Sequence, residues 1–197
     1  YGILDCLIKF RARHLNIRVE LVEDSQQELI RMLEDRELEF AFARTDFLLH
    51  KNKYDILPLV TEEFVFVCSR KHPFAKRNSL SIKELKNEKF LFIDKQSTIY
   101  HICYKACASS GFMPNIRSTI SRHVPLLRMV AENLGVSIMP SNLVDMSDDG
   151  AYTYVPLKEE ITTTIALLKL KGKSLSQYEE AFVRDFKEFS KHHYSKS

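Results

Sequence analysis

The chain alternates between two hydrophobic periods, and each change of period marks a predicted element. Phe90, Leu91, Phe92 and Ile93 make a short unbroken apolar run, the pattern of a strand covered on both faces. A polar turn at 94–98 follows, after which Ile99, Cys103, Ala106 and Cys107 recur at helical spacing. Gly111 predicts the end of that helix, and Pro114 bars its continuation. The rest of the chain is arranged around this strand, turn and helix.

The chain opens on a helical stripe of Ile3, Leu7 and Phe10, flanked by Leu4 and Ile8. Ile17, Val19 and Leu21 alternate with Arg18 and Glu20 and predict a strand. Ser25 followed by Glu28 predicts a capped helix carrying Leu29, Ile30 and Leu33. Residues 40–43 predict a second strand ending at Arg44. Extended runs follow at 54–60 and 64–68, and His72-Pro73 closes that part of the chain. Ser81 and Glu84 frame a short helix at 82–85.

Beyond the central stretch, 116–120 predicts a strand, and 121–125 turn into a helix with Leu126, Leu127, Val130 and Leu134 on one face and Gly135 as its terminator. A brief strand at 136–139 stops at Pro140, 145–150 form an acidic loop, and 152–157 and 161–170 predict further strands. Tyr178, Phe182, Phe186 and Phe189 stripe a last helix at 177–190.

Strands alternating with helices imply an α/β architecture with largely parallel sheets, whose ligands bind at the C-terminal ends of strands. Ser25, Arg44, Ser97 and Thr98 all fall at such ends. A strand turning through Ser and Thr into a helix leaves backbone N–H groups unpaired, which suits an anion; the alternative is that Ser97 or Thr98 only caps its own helix. Arg44 has its own alternative, a salt bridge with Asp46 or Glu39, and His123 has another, capping the helix after it.

Composition narrows the function classes. At 197 residues the chain suits one good-sized domain or two small lobes. Lys and Arg number 29 against 26 Asp and Glu, interspersed, which argues against a nucleic-acid surface in this segment. The basic concentration near the end, Lys169, Lys171 and Lys173 and then Lys187, Lys191 and Lys196, reads as a solvated face. Cys6, Cys68, Cys103 and Cys107 lie mostly in apolar runs and read as reduced structural thiols, which suits a cytoplasmic protein. Cys103, Cys107 and the nearby His101 lack the second pair a zinc site needs, so no metal is expected. No run approaches the roughly 20 apolar residues that span a bilayer, and no signal peptide opens the chain. With five glycines, no phosphate-cradling loop and no nucleophile at motif spacing to a base, neither an enzyme nor a cofactor is expected.

The order of landmarks resembles the regulatory domain of LysR-type transcriptional regulators. The carriers are residues 17–23 (IRVELVE), 38–43 (LEFAFA), 57–63 (LPLVTEE), His72-Pro73, Cys107 with Gly111 to Asn115 (GFMPN), and Leu126 to Val130 leading to 135–140 (GVSIMP). They run over nearly the whole chain.

The resemblance implies a type 2 periplasmic-binding-protein fold, two Rossmann-like lobes joined by two crossover strands. Lobe I would be 1–70 with 163–197, and lobe II 71–162. It implies a small effector, often a carboxylate, in the cleft between lobes, contacted by Ser25, Gln26 and Arg44 from lobe I and by Ser97, Thr98, Ile99 and His123 from lobe II. It implies a homodimer through the 3–13 and 121–134 helices, or a tetramer in the full-length protein, with no membrane partner. DNA contact would come only from an N-terminal winged helix-turn-helix which, with its linker helix and the family's first strand, is not found in this sequence. A solute-binding protein of a transport system is the alternative on the same fold. The effector itself is not named by the sequence.

Overall fold

The computed structural model describes residues 3–145 and 150–194, so most of the expected acidic loop lies outside the described residues. The chain divides into two compact units, Tyr1–Thr61 with Thr164–Ser197, and Glu62–Thr163. Both divisions fall inside long strands rather than in linkers, the first at 61/62 rather than near residue 70.

Unit 1 begins with helix α1 (Ile3–Arg13), whose Cys6 and Phe10, one turn apart, are buried. Helix α2 (Gln26–Glu34) starts where Ser25 Oγ accepts the Glu28 N–H at 3.2 Å, one half of the capping box the Ser/Glu spacing predicts; the Ser25 N–H donates to Asp24 Oδ1 instead, and the Glu28 carboxylate pairs with Arg31. Strand β1 (Ala41–Arg44) follows, then strand β2 (Tyr54–Ser69), one continuous strand where two runs are expected.

The segment 17–21 is not a strand. Ile17 and Val19 do pack inward, as their alternation predicts, but no ladder pairs their backbone among the described residues, and Leu21 is exposed. A hydrophobic period places side chains; only a neighbouring backbone makes a sheet.

Unit 2 holds the rest of β2 and strand β3 (Lys89–Ile93), of which Phe90 to Ile93 are buried as the unbroken run demands. Helix α3 (Thr98–Ser109) buries Ile99, Ile102, Cys103 and Cys107. It ends at Gly111 (φ +89°), where the Phe112 N–H reaches Cys107 O at 3.2 Å and the Gly111 N–H reaches Ala108 O at 3.0 Å. Strand β4 (Asn115–Ile120) lies parallel to β3, with Ile93 opposite Ile120.

Helix α4 (His123–Ala131) stops earlier than Gly135. Asn133 takes the left-handed conformation (φ +58°), and the Leu134 N–H closes on Met129 O at 3.1 Å. Leu134 is therefore turned out of the stripe and is 57% exposed.

Strand β5 (Ser137–Pro140), helix α5 (Ser141–Asp145) and strand β6 (Tyr152–Pro156) complete unit 2, with β5 and β6 both antiparallel to β2. Strand β7 (Thr162–Leu170) returns to unit 1 antiparallel to β1, and helix α6 (Gln177–Tyr194) follows. The strand pairing is therefore not largely parallel: β1–β7, β2–β5 and β2–β6 run antiparallel, and β3–β4 parallel.

In unit 1 the pleat of β7 separates two clusters: Leu167 joins Phe10, Phe182, Phe186 and Phe189, while Ala166 and Leu168 join Leu33, Ala41 and Ala43. Tyr178, expected in the α6 stripe, is exposed.

Candidate functional site

The seven predicted contact residues fall into two sets, one in each unit. In unit 1, Ser25 caps α2, Gln26 is its first residue, and Arg44 ends β1. The Gln26 carboxamide meets the Arg44 backbone twice. Arg44 N–H donates to Gln26 Oε1 at 2.9 Å, and Gln26 Nε2 donates to Arg44 O at 2.9 Å. Arg44 is 8% exposed, an unusual depth for an arginine.

In unit 2, Ser97 caps α3 with Oγ accepting the Ile99 N–H at 3.2 Å. Thr98 is the first helical residue, and Ile99 is buried. His123 opens α4 after Arg122, which holds the N-cap position without a side-chain cap bond, so His123 is not the cap. Burial, reinforced by the neighbouring Arg122 charge, lowers the His123 pKa below its ordinary value, so the imidazole is neutral near pH 7.

The parallel pairing of β3 and β4 places Ser97 and His123 at the same end of the pair. Each strand runs into a helix at the same end, and the Asp94 N–H bonds Ile120 O at 3.2 Å just beyond the last strand pair. Two helix N-termini thus open at the C-terminal edge of one parallel pair, and each carries the partial positive charge of a helix start. Pro125 fits in the first turn of α4, where no intrahelical bond is needed from its nitrogen.

Arg122 was not among the expected residues, although the run Ser121-Arg122-His123 directly before an apolar helix marks it in the sequence. The Gln26 to Arg44 pairing joins residues 18 apart and has no sequence signal. Ser97 does cap its own helix, as its alternative reading has it, and Ser25 caps α2.

The four cysteines are free thiols and are buried, and no group of three metal-ligating side chains exists among the described residues. Cys103 donates its S–H to Ile138 O at 3.0 Å. No helix among the described residues is long and apolar enough to cross a membrane.

Comparison with known proteins gives the family and the fold. Residues 1–191 match the family model described as LysR substrate binding domain. The chain is 24% identical over 183 residues, 91% of its length, to the uncharacterized HTH-type transcriptional regulator YwbI of Bacillus subtilis (strain 168), and it spans about 60% of that relative's length.

Among solved structures, it resembles the effector binding domain of QuiR in complex with shikimate, with TM-score 0.83, 20% identity, and coverage of 98% of this chain and 92% of the other. It also resembles the Synechocystis PCC6803 CcmR regulatory domain in complex with 2-PG, with TM-score 0.88, 18% identity, and coverage of 98% and 93%. The fold is accordingly the two-lobed α/β fold of type 2 periplasmic binding proteins. The chain belongs to the LysR substrate binding domain family.

Proposed function

We propose that this domain senses a small anionic metabolite, a carboxylate or similar group, and that occupancy modulates transcription by the full-length protein. The observation that carries the reading is the pair of helix N-termini, α3 and α4, opening together beyond the C-terminal ends of β3 and β4. Each is worth about 0.3–1 kcal/mol to an anion. Ser97, Thr98, Ile99 and His123 are the proposed contacts in unit 2, and Ser25 and Arg44 those in unit 1, with Gln26 bonded to the Arg44 backbone beside them. Arg44 supplies the full positive charge and the fork geometry that a carboxylate accepts in bidentate fashion. The complexes of two neighbours of the same fold, with shikimate and with 2-PG, support the chemical class.

The protein acts by binding and not by turnover, without a cofactor, in the cytoplasm. Ligand changes the output only by favouring one arrangement of the protein over another. The proposed assembly is a homodimer using α1 and α4. Leu4 at 61% and Ile8 at 57% exposure give α1 an outward apolar stripe, and Val124 is exposed on α4.

The test is a thermal-shift screen of small carboxylates and phosphates. A ligand at 100 times its dissociation constant adds about 2.7 kcal/mol to folding, so a true effector raises the melting point by several degrees. A panel in which no anion does so counts against the reading.

A further inference from the structure

We propose that Gln26 is a positioning residue, which holds Arg44 in place instead of touching the effector. This rests on the reading of Arg44 as an effector contact. The carboxamide uses its oxygen and one amide hydrogen on the N–H and C=O of a single residue, both at 2.9 Å. That is the donor and acceptor pattern by which one strand residue pairs with another, so the side chain stands in for a strand at the end of β1.

The brace has a firm base. Gln26 is the first residue of α2, whose opening turn is fixed independently by the Ser25 Oγ bond to the Glu28 N–H at 3.2 Å. It also has a consequence for the guanidinium. Arg44 is 8% exposed, so its side chain has little freedom to compensate if its backbone shifts, and the aim of the charge follows the backbone. A shift of the Arg44 backbone on ligand binding is passed to the N-terminus of α2 through the same two bonds.

The experiment compares the full chain carrying Gln26→Ala, Arg44→Ala and both changes, with Gln26→Met as a second variant that keeps side-chain length without the amide. The first readout, amide hydrogen exchange at Arg44, needs no ligand. Exchange there is expected to accelerate at least about tenfold in both Gln26 variants, as loss of the acceptor predicts. The second readout is calorimetric titration with shikimate and with inorganic phosphate. Gln26→Ala is expected to weaken binding by up to about tenfold, and the double variant is expected to bind no more weakly than Arg44→Ala alone.

Unchanged Arg44 exchange overturns the brace. Additive losses overturn it too, because they make Gln26 a contact in its own right. Faster exchange with no binding of either probe by the unaltered chain overturns the assignment of the site to such anions, and with it the role of Gln26 there.

Discussion

Gly135 lies against the carbonyl of Lys89 so closely that a Cβ on it would sit 2.6 Å from that oxygen and 2.9 Å from Leu91 Cγ. The carbonyl has no freedom to retreat, because it accepts the Val136 N–H at 2.9 Å while the Leu91 N–H bonds Val136 O at 2.8 Å. The glycine therefore serves the approach of the 135–136 segment to β3, and Asn133 does the work of ending α4.

Gly135→Ala is expected to destabilise unit 2 by about 1–3 kcal/mol through overpacking. Gly111→Ala, which meets nothing within 4 Å but stands at φ +89°, is expected to cost about 1 kcal/mol from backbone strain alone. Urea denaturation of the two variants checks the order. A Gly135→Ala protein as stable as the parent would contradict the packing described.

Tyr54 and Glu34 provide a test in pH. The buried Tyr54 hydroxyl donates to Glu34, which also pairs with Lys53 at 3.0 Å. Burial, with the Glu34 carboxylate adding to it, pushes the Tyr54 pKa from 10.0 to about 12. A folded-state pKa above the unfolded one means a contribution fully present below pH 10 and lost as pH rises toward 12. Glu34 has the opposite sign: its hydrogen bonds from Tyr54 and Lys53 lower its pKa, so its contribution is lost as pH falls through the folded value. Unfolding free energy measured from pH 10 to 12 is expected to fall less steeply in Tyr54→Phe than in the parent. Equal slopes would contradict the shift.

The thiols should be chemically quiet. Cys68 and Cys107 are fully buried, and burial pushes both pKa values up to about 12; Cys6, 3% exposed, rises to about 11, with Asp185 adding to the effect of burial. Since the thiolate is the reactive form, labelling of the native chain by a thiol reagent is expected to be at least about tenfold slower than in denaturant. Rapid native labelling of any of the four would refute their role as packing groups.

How much of this was legible beforehand depends on how local each cause is. The β3 run, the α3 stripe, and the caps at Ser25 and Ser97 were legible, because burial and capping act within a few residues. The 17–21 segment misled because alternation reports which side chains face inward, not whether a backbone partner is present. Gly135 misled because glycine serves both turns and close approaches, and only the position of the Lys89 carbonyl distinguishes them. The orientation of β7 against β1 depends on a strand returning from more than 100 residues away, and the Gln26 brace on a contact across 18; neither leaves a periodic trace.

The most direct test of the effector reading is calorimetric titration of the parent and Arg44→Ala with whichever anion raises the melting point most in the screen. A charge-assisted contact from a buried guanidinium is worth about 1.5–3 kcal/mol, so affinity is predicted to fall about 10- to 100-fold in the variant while its fold, followed by circular dichroism, persists. Binding of equal strength to the parent and to Arg44→Ala would contradict the account.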